Sequence, residues 1–79
     1  MISVGYRNYV ALERIIAVIS PDSRPIKSLI TGAREKGQLI DATMGKKTKS
    51  VVVTDSNQII LSANTTETII HRIKNQLGT

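Results

Sequence analysis

Lys46, Lys47 and Lys49 fall within four consecutive positions directly after Gly45, in the segment Ile40-Asp-Ala-Thr-Met-Gly-Lys-Lys-Thr-Lys49. No acidic residue lies between Asp41 and Asp55, and apolar residues flank the segment as Leu39-Ile40 and Val51-Val52-Val53. Ammonium groups spaced this way suit phosphate neutralisation, and a glycine lets a backbone approach closely. Thr43 and Thr48 add hydroxyls for phosphate oxygens, and Gly45 permits a tight turn. The same lysines also read as a solvated hairpin rim that keeps the protein soluble. Other features of the chain must decide between the two.

Other chemistries find little material. His71 is the only histidine and there is no cysteine, so a transition-metal site within one chain is not expected and no cofactor is implied. His71 lies off the apolar stripe of the last helix and reads as a solvated residue rather than a general base. Asp41 and Asp55, at strand ends, read as turn or capping residues rather than an acid–base couple. Gly45-Lys46-Lys47-Thr48 fails as a phosphate-binding P-loop, because Lys47 separates the first lysine from the threonine and position 40 is Ile, not Gly. The strands carry no run of aromatics for stacking unpaired bases. Tyr6 and Tyr9 each offer a stacking face, or else cap the core or fill an interface. What remains is backbone recognition of a polyanion by a chain that is not an enzyme.

A chain of 79 residues is expected to make one domain over residues 1–79. It has no Phe, no Trp and two Tyr, so Ile, Val, Leu and Ala must build the core. A domain of this size buries only roughly 60% of its unfolded surface. With no disulfide to help, self-association is the natural way to extend that core. Eleven Lys and Arg against six Asp and Glu give +5, which favours polyanionic partners. The amino terminus does not resemble a signal peptide, and no apolar run approaches the roughly 20 residues that span a bilayer. A cytoplasmic location without membrane contact is expected.

These residues need elements to hold them. The pattern predicts an α+β fold in the order ββ-α-βββ-α, with a small mixed or antiparallel sheet and two helices. Met1–Val4 leads into a turn at Gly5-Tyr-Arg-Asn8, and Arg14–Ser20 is a β-branched strand stopped by Pro21. Asp22 or Ser23 caps a helix whose stripe is Ile26, Leu29, Ile30 and Ala33 and which ends at Gly37. Strands follow at Leu39–Thr43, Ser50–Thr54 and Gln58–Ser62, with the lysine loop between the first two and a turn at Asp55-Ser-Asn57. Asn64 and Glu67 form a capping box for a last helix over about 65–77, with Ile69, Ile70, Ile73 and Leu77 on one face.

Asn8-Tyr-Val10, Arg14-Ile-Ile-Ala-Val-Ile-Ser-Pro21, Pro25-Ile-Lys27, Ala33-Arg-Glu-Lys-Gly37, Leu39-Ile-Asp-Ala-Thr43 and Ile60-Leu-Ser-Ala63 together resemble the RemA family of small bacterial DNA-binding regulators of extracellular-matrix genes. The resemblance implies a cytoplasmic, ring-forming homo-oligomer with a LytTR-like DNA-binding element, acting on double-stranded DNA over an extended site. It implies DNA contacts from Lys46 and Lys47, where the family carries an Arg pair, and from Arg14. Met44 stands where the family has tyrosine, and Lys49 replaces a further arginine. Lysine keeps the charge of arginine but loses its planar fork, which shifts the expected balance from base reading towards phosphate contacts and DNA shape. Arg7 stands where the family has glycine, and either adds a cation or reshapes the early turn. Without the resemblance, Arg14 reads as a partner for Glu13 or for an interface carboxylate. Two other classes stay open: a structural assembly module whose partner is another protein, and an RNA-associated accessory protein using the same loop.

Overall fold

The computed structural model describes residues 1–22 and 24–78. Ser23, put forward with Asp22 as a helix cap, lies outside the described residues.

Alternating side chains build a two-sided sheet. Its strands are β3 (Ile15–Ile19), β4 (Leu39–Asp41), β5 (Ser50–Thr54) and β6 (Ile59–Ser62), arranged β3-β5-β6-β4. Strands β3 and β5 are antiparallel, as are β5 and β6, whereas β4 runs parallel to β6. Period-2 alternation sends Val52 and Ile60 to one face and Val51, Ile59 and Leu61 to the other. Helix α1 (Arg24–Glu35) covers the second face with Ile26 and Ala33. Helix α2 (Thr66–Leu77) covers the first face with Ile69, which is 0% exposed. Beside it pack Ile2, Val4 and Val10 of a hairpin made by β1 (Ile2–Gly5) and β2 (Asn8–Val10). The central strands β5 and β6 are therefore covered on both faces.

The helix ends follow local chemistry. Gly37, at φ +71°, closes α1: its N–H donates to the Arg34 carbonyl, and the Gln38 N–H reaches the Ala33 carbonyl at 2.8 Å. This is the left-handed terminator expected from the glycine. At the start of α2 the cap is Thr65, whose hydroxyl accepts the Thr68 N–H. Asn64, expected in that role, instead accepts a hydrogen bond from Arg72 at 2.8 Å through Oδ1. The cap falls one residue later than expected, because Asn64 is drawn to Arg72.

Four expectations change. Three strands precede α1, because β2 is only three residues long and too short to show a pattern. The sheet is split into a two-stranded hairpin and a four-stranded mixed sheet. The segment from β4 to β5 is not a hairpin, since β6 lies between those strands. Leu29 (40% exposed), Ile70 (39%) and Leu77 (71%), counted in the helix stripes, face outward. Ile69→Ala is expected to cost about 2–5 kcal/mol, and Ile70→Ala less than about 1 kcal/mol, as judged by urea-unfolding midpoints.

Candidate polyanion-binding loop

Because β4 and β5 flank β6, the chain from Ala42 to Lys49 must cross over the end of β6. Hydrogen bonds hold both its feet there. The Ala42 N–H donates to the Leu61 carbonyl at 2.9 Å, and the Lys49 N–H donates to the Ser62 carbonyl at 2.8 Å. Between them the chain makes a tight reversal with Met44 at φ +53° and Gly45 at φ +80°, closed by the Lys46 N–H on the Thr43 carbonyl at 3.0 Å. Positive φ at both central residues marks a type I′ turn, which glycine enters freely and methionine only with strain. The surrounding pairing holds Met44 in a conformation it would not choose. Its side chain is 71% exposed.

Asp41 and Thr43 fix the first foot. The Thr43 N–H and hydroxyl both donate to Asp41 Oδ1, at 2.9 and 2.6 Å. These bonds, the hydroxyl first, hold the Asp41 carboxyl below its ordinary value of 3.8, with Arg34 adding a smaller effect against the desolvation that opposes it. Thr43, expected to offer its hydroxyl to phosphate, gives that hydroxyl to Asp41 in this structure. Thr43 is 3% exposed and its hydroxyl is donated to Asp41, so it braces the loop from within. Lys46, Lys47 and Lys49 are exposed, and Thr48 is half-buried.

Arg14 stands apart. Antiparallel pairing of β3 with β5 sets Ile15 opposite Thr54, so Arg14 meets Asp55 at the end of the sheet away from the lysine loop. Its Nη1 lies 3.4 Å from Asp55 Oδ2, and the Asp55 N–H donates to the Arg14 carbonyl. The carboxylate is Asp55 rather than Glu13, a matter of strand register that local sequence does not specify. Both side chains are well exposed, so the pair adds little stability. The length of β5, about 14 Å by strand rise, separates Arg14 from the loop within one chain.

Two buried serines, unnoticed in the sequence, anchor the loop's second foot. Ser50 and Ser62 face one another across β5 and β6, each 0% exposed. Ser50 donates its hydroxyl to the Asn64 carbonyl, and Ser62 donates its own to the Val4 carbonyl, both at 2.7 Å. A serine at the end of an otherwise apolar strand is the signal that could have found them. Among the described residues no group of three His, Cys, Asp or Glu is gathered to hold a metal ion, and no helix is long and apolar enough to cross a membrane.

Residues 1–73 match a family model described as RemA-like, extracellular matrix regulatory protein A-like. A protein of Crocosphaera subtropica is 53% identical over 72 residues, covering 91% of this chain and 80% of that protein. One of Halothermothrix orenii is 51% identical over 78 residues, covering 99% and 93%. One of Desulforudis audaxviator is 48% identical over 77 residues, covering 98% and 81%. Each of the three bears the name "Putative regulatory protein".

The lowered Asp41 value makes a pH prediction. Asp41 contributes stability above about pH 4, and that contribution is lost as pH falls through its folded value. Asp41→Asn, isosteric but uncharged, should therefore be less stable than the parent at neutral pH. The gap should close in acid, read from unfolding midpoints between about pH 7 and pH 2.

Proposed function

The chain belongs to the RemA-like family, and from that premise we propose that it is a DNA-binding transcriptional regulator that works as a ring-shaped homo-oligomer and controls extracellular-matrix genes. The observation that carries this reading is the Ala42–Lys49 loop. It is pinned at both feet, and it holds out lysines that, among the described residues, have no carboxylate in ion-pair contact. A loop held in advance loses little conformational freedom on binding, so more of each charge contact appears as affinity.

One loop offers three cations, which is weak and largely sequence-blind. Repetition around an oligomer makes each further contact intramolecular and raises the avidity. The surface supports such an assembly. A groove of ≈ 550 Å³ between edge strand β3 and α2 is lined by Leu12, Ile15, Ile16, Ile70, Ile73 and Leu77 among others. Ile16 is 66% exposed there, on a strand whose outer edge has no pairing strand among the described residues. Arg14 adjoins this groove, so docking of a second copy would decide where its guanidinium points. The groove equally favours a second reading, a protein-assembly module whose charge serves only solubility.

Fluorescence anisotropy with duplex DNA over a range of salt separates the readings. Log affinity should fall linearly with log salt, by about 0.9 per phosphate neutralised. Replacing Lys46, Lys47 and Lys49 with glutamine should flatten that slope by about 2.7 per engaged protomer. Absence of binding at low salt would remove the DNA reading and leave the assembly module. Displacement by structured or unpaired RNA in preference to duplex would redirect the loop to RNA. In light scattering, Ile16→Lys combined with Leu77→Lys should shift the assembly towards monomer if the groove is the subunit contact.

A further inference from the structure

The turn of the β1–β2 hairpin is a second feature of the lysine-loop end. Tyr6 at φ +50° and Arg7 at φ +66° are its two central residues, both left-handed and neither a glycine. Two-residue hairpin turns of this kind favour Asn-Gly, because an L side chain at positive φ is strained. Asn8 braces the turn by donating its side-chain amide to the Gly5 carbonyl at 3.0 Å and the Tyr6 carbonyl at 3.3 Å. A glycine at position 7 would suit the backbone better. The arginine holds that place at a cost, and nothing in the packing requires it, since its side chain is exposed.

The strand that leads into this turn is tied to both feet of the lysine loop. On one side, a Cβ built on Gly5 would lie 3.8 Å from the Ala42 carbonyl oxygen, where the loop leaves β4. On the other, Ser62 joins the two segments directly. Its hydroxyl donates to the carbonyl of Val4, and its carbonyl accepts the N–H of Lys49. Arg72 adds a brace from α2, with Nη1 donating to the Ser3 carbonyl at 2.9 Å and to Asn64 Oδ1 at 2.8 Å. The β1–β2 hairpin and the lysine loop are thus tied together at one end of the sheet.

We infer that Arg7 is a further phosphate-contacting residue of the polyanion site, so that two turns grip the duplex backbone: the lysine loop and the Tyr6–Arg7 hairpin tip. This rests on the duplex-binding reading above and deepens it. Among the described residues Arg7 has no carboxylate in ion-pair contact. The carboxylates at this end are Asp41, which accepts both Thr43 donors, and Glu67, which accepts the Thr66 hydroxyl. Arg7 with Lys46, Lys47 and Lys49 outweighs them. The guanidinium also brings a planar fork that fits two phosphate oxygens, which none of the loop lysines can supply.

Arg7→Gly tests this without endangering the fold, because glycine relieves the positive φ. The variant should melt a few degrees higher than the parent. It should bind duplex DNA about tenfold more weakly per engaged protomer at about 0.1 M salt, with a salt slope about 0.9 shallower. Arg7→Lys should keep the slope of the parent but not its full affinity. Unchanged affinity and slope in Arg7→Gly, with a parent that binds, would overturn the role of Arg7 alone. A parent that binds no duplex would overturn the DNA reading and this inference with it. Weaker binding accompanied by a lower melting temperature would show a damaged turn, and would overturn the assignment as well.

Discussion

Ser62 ends the central strand β6 with three hydrogen bonds that reach three different segments. Its hydroxyl donates to Val4 and accepts the N–H of Asn64, while its carbonyl takes the N–H of Lys49. The hairpin, the start of α2 and the second foot of the lysine loop therefore share one buried residue. A hydroxyl 0% exposed is tolerable only because every one of these contacts is made. Ser50 opposite it extends the same polar seam to Asn64, and Arg72 closes it from the helix. Below the seam the interior is aliphatic apart from Thr54 at the far end of β5, and no buried side-chain polar atom among the described residues lacks a partner.

That seam explains why the basic end can carry strain. Tyr6, Arg7 and Met44 all sit at positive φ, and all belong to the turns that the seam anchors. A small aliphatic core has little stability to spare, so such conformations persist only where neighbours over-determine them. The exposed charge and the strained backbone coincide at one end of the sheet. At the other end Asn57, at φ +63°, shapes the β5–β6 turn beside the exposed Arg14–Asp55 pair. The two ends of the sheet differ in chemistry as well as in place.

Between them lies the apolar groove of β3 and α2. Ile70 and Leu77 continue the stripe of α2 beyond what β3 can cover, because β3 is the last strand on its side of the sheet. A chain without Phe or Trp has no bulky residue to fold over that remainder. Apolar surface of this kind is what a second copy would remove from water.

Much was legible in the sequence because it is local. The i, i+3, i+4 spacing marks both helices, Gly37 marks the end of α1, and the apolar run Val51-Val52-Val53 marks a strand. Charge and composition likewise set the lysines outside and the aliphatics inside. Period-2 alternation, however, names the face a residue takes and not the strand it pairs with. Only tertiary pairing placed β6 between β4 and β5, which makes the lysine segment a bridge with two pinned feet rather than a hairpin rim. Pairing also decided that Arg14 meets Asp55 far from the lysines, and that the hairpin carrying Arg7 is tied through Ser62 to the lysine-loop end. Each of those outcomes depends on hydrogen bonds or strand register between chain segments, and no local pattern specifies them.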